Sequence, residues 1–155
     1  MNIEFVVYDK RYLECSNEWL QDPEIKSMTM TPEFSAQTQR IWFDGLPMRT
    51  DYRIWGVACD GEPVGAVGIK HINVEKKMGE YFGYIGEKEL WGKGIGRQMV
   101  GFAKEQAKKL DLHVLCLLVS PNNVRAMSLY EKSGFSIVEK ISEATDGLLR
   151  YSCTI

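Results

Sequence analysis

Residues Glu87 to Val100 read EKELWGKGIGRQMV, with glycines at 92, 94 and 96 where a strand candidate runs into a helix candidate. Each glycine there costs roughly 0.5–1 kcal/mol against alanine, so the backbone needs a reason for it. A dinucleotide fingerprint requires G-x-G-x-x-G, and here the third glycine comes one residue early. A P-loop requires G-x-x-x-x-G-K followed by Ser or Thr, but Glu87 holds the first glycine's place and Gly94 follows Lys93. The spacing leaves a glycine turn at a helix start. This is either a plain tight turn or one whose free N–H groups and positive dipole end hold a phosphate or pyrophosphate.

Outward from this turn, Gly94 to Leu110 carries Ile95, Met99, Val100, Phe102, Ala103 and Ala107 on one helical face and lysines with Glu105 on the other. Upstream, Arg53 to Cys59, Val64 to Asn73 and Met78 to Gly86 read as an antiparallel meander, with Asp60-Gly61 as a hairpin turn. The N-terminal part reads as a strand, Ile3 to Tyr8, and three helices: Lys10 to Gln21, one opening at Asp22-Pro23, and Ser35 to Leu46 ended by Pro47. Downstream, Leu112 to Val119 (LHVLCLLV) is a continuous apolar run, the expectation for a central strand buried on both faces. Asn123 caps a helix to about Lys132, Gly134 stops it, and Phe135 to Ile141 and Leu148 to Thr154 form a last strand pair joined across Asp146-Gly147.

The chain has 155 residues and a net charge of −2 from 19 basic and 21 acidic residues, spread without a basic stripe. This argues against nucleic acid or an anionic membrane as partner. No run approaches 18 apolar residues and the first residues lack a secretory pattern, so a soluble, cytoplasmic single domain over residues 1–155 is expected. Four scattered cysteines and two histidines lack metal-ligand spacing; reduced thiols and no metal are expected. His71 and His113 fall on strand candidates and read as packed or rim residues.

A second stretch, PNNVRAMSLYEKSGF from Pro121 to Phe135, follows the apolar strand. With the glycine turn it resembles the GNAT superfamily of N-acetyltransferases. The acetyl-CoA signature Gln/Arg-x-x-Gly-x-Gly/Ala is met from Trp91 to Gly96, and the later pattern by Asn123, Ala126, Leu129, Tyr130, Gly134 and Phe135. Trp91 departs from the signature's first position; together with WLQDPEI at 19–25 it resembles the ribosomal-protein acetyltransferase-like (RimJ/RimL type) branch.

The resemblance implies an α/β GNAT fold: a mixed, mostly antiparallel central sheet flanked by helices, with two central parallel strands splayed apart. It further implies acetyl-CoA as cosubstrate and a primary amine as acceptor. The pantetheine arm would pair with the backbone of Tyr84, Ile85 and Gly86, and the backbone from Gly92 through Lys93, Gly94, Ile95 and Gly96 to Arg97 would hold the pyrophosphate. Asn123 would bind the cofactor or cap its helix. Transfer needs a base, because an amine of pKa near ~10.4 is mostly protonated, and a proton donor for the departing thiolate. Glu80 occupies the family's base position, with Glu87 the competitor, and Tyr130 that of the acid. Cys116, inside an apolar run, makes direct transfer in a ternary complex the expectation over an acyl-cysteine.

The acceptor expected is a small-molecule amine of the amino-sugar or polyamine type. The rivals are a protein N-terminus or a non-catalytic acyl-CoA-binding module. An edge strand near the C-terminus could pair between subunits as a homodimer.

Overall fold

The computed structural model describes residues 1–141 and 147–155; Asp146, read above as part of the last turn, lies outside the described residues. Seven strands form one sheet in the order β1-β2-β3-β4-β5-β7-β6. They are β1 (Ile3–Val7), β2 (Arg53–Cys59), β3 (Glu62–Asn73), β4 (Met78–Ile85), β5 (Val114–Val119), β6 (Ser136–Lys140) and β7 (Leu149–Thr154). Neighbouring strands pair antiparallel except β4 and β5, which are parallel. The meander turns where the sequence says it should, at Asp60 and Gly61, both with positive φ as a two-residue hairpin turn requires. The last strand pairs antiparallel with its predecessor β6 and enters between β5 and β6, leaving β6 as the edge.

Helices cover the two faces unequally. On one face α4 (Ile95–Lys109) buries Ile95, Met99, Val100, Ala103 and Ala107 against Val67, Ile69, Leu115 and Leu117, the main core. On the other face α1 (Lys10–Trp19) and α3 (Ala36–Gly45) pack Tyr12, Leu13, Trp42 and Phe43 around Tyr8 and Ala66. The short α2 (Pro23–Thr29), capped by the Asp22 side chain, joins Trp19, Leu20, Ile25, Tyr84 and Trp91 in a third cluster. Pro47 does not end α3 outright; the chain continues through a 3-10 turn over Leu46–Met48.

The apolar run LHVLCLLV is not buried on both faces. Along β5, Leu115, Leu117 and Val119 are buried while Val114, Cys116 and Leu118 are half-buried. The helices of the second face cover the β1–β4 side of the sheet and stop short of β5. An apolar run is equally compatible with a strand bordering an uncovered gap, and that is what this one does.

A candidate active site between the two parallel strands

β4 and β5 pair over three registers, Met78–Val114, Gly79–Leu115 and Glu80–Cys116, and then separate. From Tyr81 to Ile85 the inner edge of β4 therefore has no strand beside it. The Gly86 N–H is given to the Val64 carbonyl of β3, at 2.7 Å. Backbone groups alternate sides along a strand, so those of Tyr84 also turn toward β3, and those of Tyr81, Gly83 and Ile85 turn toward the gap. This corrects the contacts expected of Tyr84, Ile85 and Gly86: of the three, Ile85 alone faces the gap by its backbone. Gly86 has a packing reason instead, since the Trp19 indole lies 2.1 Å from where its Cβ would be.

The gap opens into a cavity of about 440 Å3. Its lining joins β4 (Tyr81, Gly83, Tyr84, Ile85), the glycine turn (Gly92, Gly94, Gly96, Arg97), β5 (Leu118, Val119), α2 (Ile25, Met28, Thr29) and α5, Val124–Lys132, with Asn123 ahead of it and Arg125, Leu129 and Tyr130 on it. Of the residues expected from sequence, the structure brings together Tyr84, Ile85, Gly92, Gly94, Gly96, Arg97, Asn123 and Tyr130. Lys93, Ile95, Gly86 and Glu80 stand outside the lining. Lys93 is exposed, and the Ile95 side chain is fully buried in the core, anchoring the first turn of α4.

The glycines at the mouth each have a reason. Gly92 and Gly94 have φ of +76° and +86°, the left-handed region, and at Gly96 the Leu129 side chain would meet a Cβ at 3.0 Å. Gly94 is the N-cap of α4 and supplies no capping side chain, so the first N–H groups of this 15-residue helix are left to a ligand or water. Asn123 caps α5, its Oδ1 accepting from the Ala126 N–H at 3.2 Å, which leaves its amide donors for the cavity it lines. Trp91 fixes the turn: its Nε1–H donates to the Ile85 carbonyl at 2.9 Å, and the Arg125 guanidinium lies 5.4 Å from its ring centre.

Tyr130 stands against Tyr81, Phe135 and Tyr151, with ring centres 5.9, 6.0 and 6.4 Å away. Burial pushes its phenol up to about 12. It is thus a neutral donor throughout the neutral range. Giving its proton outright to a thiolate whose thiol is near ~8.5 runs uphill by roughly 3.5 pH units, so what it offers departing sulfur is a hydrogen bond. Tyr84 is held differently, its hydroxyl donating to Ser16 Oγ at 2.9 Å while Ser16 also meets the Tyr8 hydroxyl at 2.7 Å.

Glu80 sits at the closed end of the gap, on the opposite sheet face from Tyr130, with its side chain 11% exposed. Its oxygens meet Lys70 Nζ at 3.6 Å and His71 Nδ1 at 3.2 Å. The competitor Glu87 accepts from the Trp19 indole at 3.0 Å. Cys116 lies across from Glu80 and outside the cavity, its thiol pushed up by burial and then by the Glu80 charge, which makes it a poor nucleophile. Sequence reasoning missed Tyr81, Gly83 and Arg125. Counting by twos back from Ile85 would have found the first two; nothing in the sequence singles out Arg125. Among the described residues no cluster of His, Cys, Asp or Glu could hold a metal ion, and no helix is long and apolar enough to cross a membrane.

Comparison with known proteins matches residues 14–135 to the family described as acetyltransferase (GNAT). A curated relative, the spermidine N(1)-acetyltransferase of Escherichia coli (strain K12), is 35% identical over 82 residues, 52% of this chain and 44% of that protein. The chain thus spans less than half the length of this curated relative. Among solved structures, spermidine N-acetyltransferase from Vibrio cholerae in complex with CoA and spermine superposes with a TM-score of 0.89 at 20% identity, over 98% of this chain and 95% of that one. A domain from Methanocaldococcus jannaschii DSM 2661 gives 0.84 at 22% identity, over 99% of both chains. At such identities the likeness is one of fold.

Proposed function

From its place in the acetyltransferase (GNAT) family, to which this chain belongs, we infer that it transfers the acetyl group of acetyl-CoA to a primary amine of a small molecule, of polyamine type, within a ternary complex. The observation that carries this is the gap that opens beyond Glu80–Cys116, with an uncapped helix start at its mouth and Tyr130 in its wall. The residues fit the cosubstrate. Backbone amides from Gly92 to Arg97 suit its pyrophosphate, and the inward groups of Gly83 and Ile85 suit an extended arm carrying amides, as in strand addition. When bound, acetyl-CoA supplies an activated acyl group on a thiol leaving group.

The chain's own residues do the rest. Glu80 is the base that takes a proton from the acceptor's ammonium. Tyr130, neutral, donates a hydrogen bond to the sulfur that departs. Ile25, Met28 and Thr29 of α2 close the acceptor side of the cavity. A polyamine acceptor is favoured over an amino sugar by the curated spermidine-acetylating relative. Membership of the ribosomal-protein-like branch rests on Trp91 and WLQDPEI alone.

Thiol release from acetyl-CoA tests this, with spermidine, spermine, an amino-sugar nucleotide and an N-terminal peptide offered in turn. Release with polyamines supports the reading, release with the peptide alone supports a protein acceptor, and binding without release supports a carrier module. A homodimer would pair along β6, whose five residues are all exposed, and light scattering decides it.

A further inference from the structure

A proton taken up by Glu80 has to leave a side chain that is only 11% exposed. Four groups face it. Lys70 and His71 come from β3, Cys116 from β5, and behind Cys116 stands Arg150 of β7, its Nη1 4.0 Å from the sulfur. The Lys70 ammonium and the Arg150 guanidinium are donors without an acceptor atom. The half-buried Cys116 thiol is spent on the Gly79 carbonyl, at 3.5 Å. His71 alone of the four combines a ring nitrogen 3.2 Å from the carboxylate, able to exchange a proton with it, with a ring open to water, its side chain 68% exposed.

His71 is where it is because β3 breaks its own rule. Alternation would send position 71 to the α4 face, away from Lys70 and Glu80. A register irregularity between Lys70 and Asn73, together with φ of +52° at His71, re-aims the side chain onto Glu80. Left-handed backbone is uncommon at a non-glycine residue, and in strands such irregularities gather beside working sites.

Resting on the acetyl-transfer reading, we propose that His71 is the proton outlet of Glu80. An N–H bond of the acceptor's ammonium breaks as an O–H bond forms on Glu80. That O–H breaks as His71, in its Nε2–H tautomer, takes the proton on Nδ1. The imidazolium releases the Nε2 proton to water, and the exposed ring regains its starting tautomer by exchange with solvent. One proton reaches bulk water per turnover and no electrons move. His71 acts through Glu80 and is a positioning and relay residue, not a catalytic one.

The test compares His71→Asn and Glu80→Gln in the thiol-release assay with acetyl-CoA and spermidine. Asparagine tolerates the left-handed backbone and removes the imidazole. In weak buffer, His71→Asn lowers kcat roughly tenfold, leaves the KM for acetyl-CoA unchanged, and recovers when free imidazole is added; Glu80→Gln loses about 100-fold and ignores imidazole. A His71→Asn enzyme at wild-type kcat, or one slowed but indifferent to imidazole, overturns the outlet while the Glu80→Gln loss upholds the base. Full activity of Glu80→Gln overturns the base assignment and the outlet with it.

Discussion

Trp91 donates its indole N–H to the carbonyl of Ile85, tying the glycine turn back to the last residue of the strand it leaves. The family signature's departure at this position is thus a clasp. It holds the mouth of the gap while Arg125, its guanidinium over the Trp91 ring, brings α5 to the same point.

Trp91→Phe keeps an aromatic ring and removes the donor. It should cost about 1 kcal/mol of stability and weaken acetyl-CoA binding several-fold, with kcat nearly unchanged. Calorimetric titration and a melting curve read both; unchanged binding would reduce Trp91 to packing.

Tyr130→Phe removes the hydrogen bond offered to sulfur without opening a cavity. Turnover should fall about 10- to 100-fold, with acetyl-CoA affinity preserved. Because burial holds this phenol at about 12, Tyr130 contributes no alkaline fall in rate below about pH 11. A wild-type rate in the variant would remove Tyr130 from the chemistry.

Alkaline stability follows from the same burial. Tyr8 and Tyr130 are each pushed up to about 12, and Tyr52 and Tyr84 higher still. The unfolded chain ionises its tyrosines near ~10 while these stay neutral in the fold. Their raised folded values give stability that is complete below pH ~10 and is lost as pH rises through 10 toward 12, at about 1.4 kcal/mol per pH unit for each group. Denaturant unfolding across this window should show the decline.

Gly94→Ala places a Cβ at φ of +86°. The left-handed backbone then costs about 1–2 kcal/mol, or the turn relaxes and carries the N–H groups of α4 with it. Either way the melting temperature drops, and acetyl-CoA affinity drops further if those amides hold phosphate. Gly45→Ala, at a glycine with negative φ and open space around it, is the control.

Cys116→Ser should retain at least half the wild-type rate, and intact-mass spectra during turnover should show no acetylated enzyme. Accumulation of an adduct lost in the variant would establish the two-step route instead.

The parts of the site legible in the sequence are those where backbone geometry restricts residue choice. Gly92 and Gly94 occupy left-handed positions, Asn123 caps a helix and Gly134 ends one, and each leaves its mark in a single residue type. What strand pairing decides was not legible. The inward edge of β4 belongs to Tyr81, Gly83 and Ile85 because Gly86 pairs with Val64, a fact of register. Likewise the half-covered face of β5, the insertion of β7 beside it and the turn of His71 onto Glu80 depend on neighbours distant in the chain.

Three residue pairs join β4 to β5, and on either side of that seam lie four strands built largely from the first half of the chain and three from the second. Within the four-stranded part, β2 to β4 form a local meander whose contacts close short loops, whereas β1 reaches β2 only after α1 to α3 and the seam must wait for α4 to carry the chain across. Anything that bridges the unpaired stretch from Tyr81 to Ile85 adds cohesion between two subunits of one fold, and amide exchange in β5 and β7 should slow when acetyl-CoA is present more than exchange in β1 and β2.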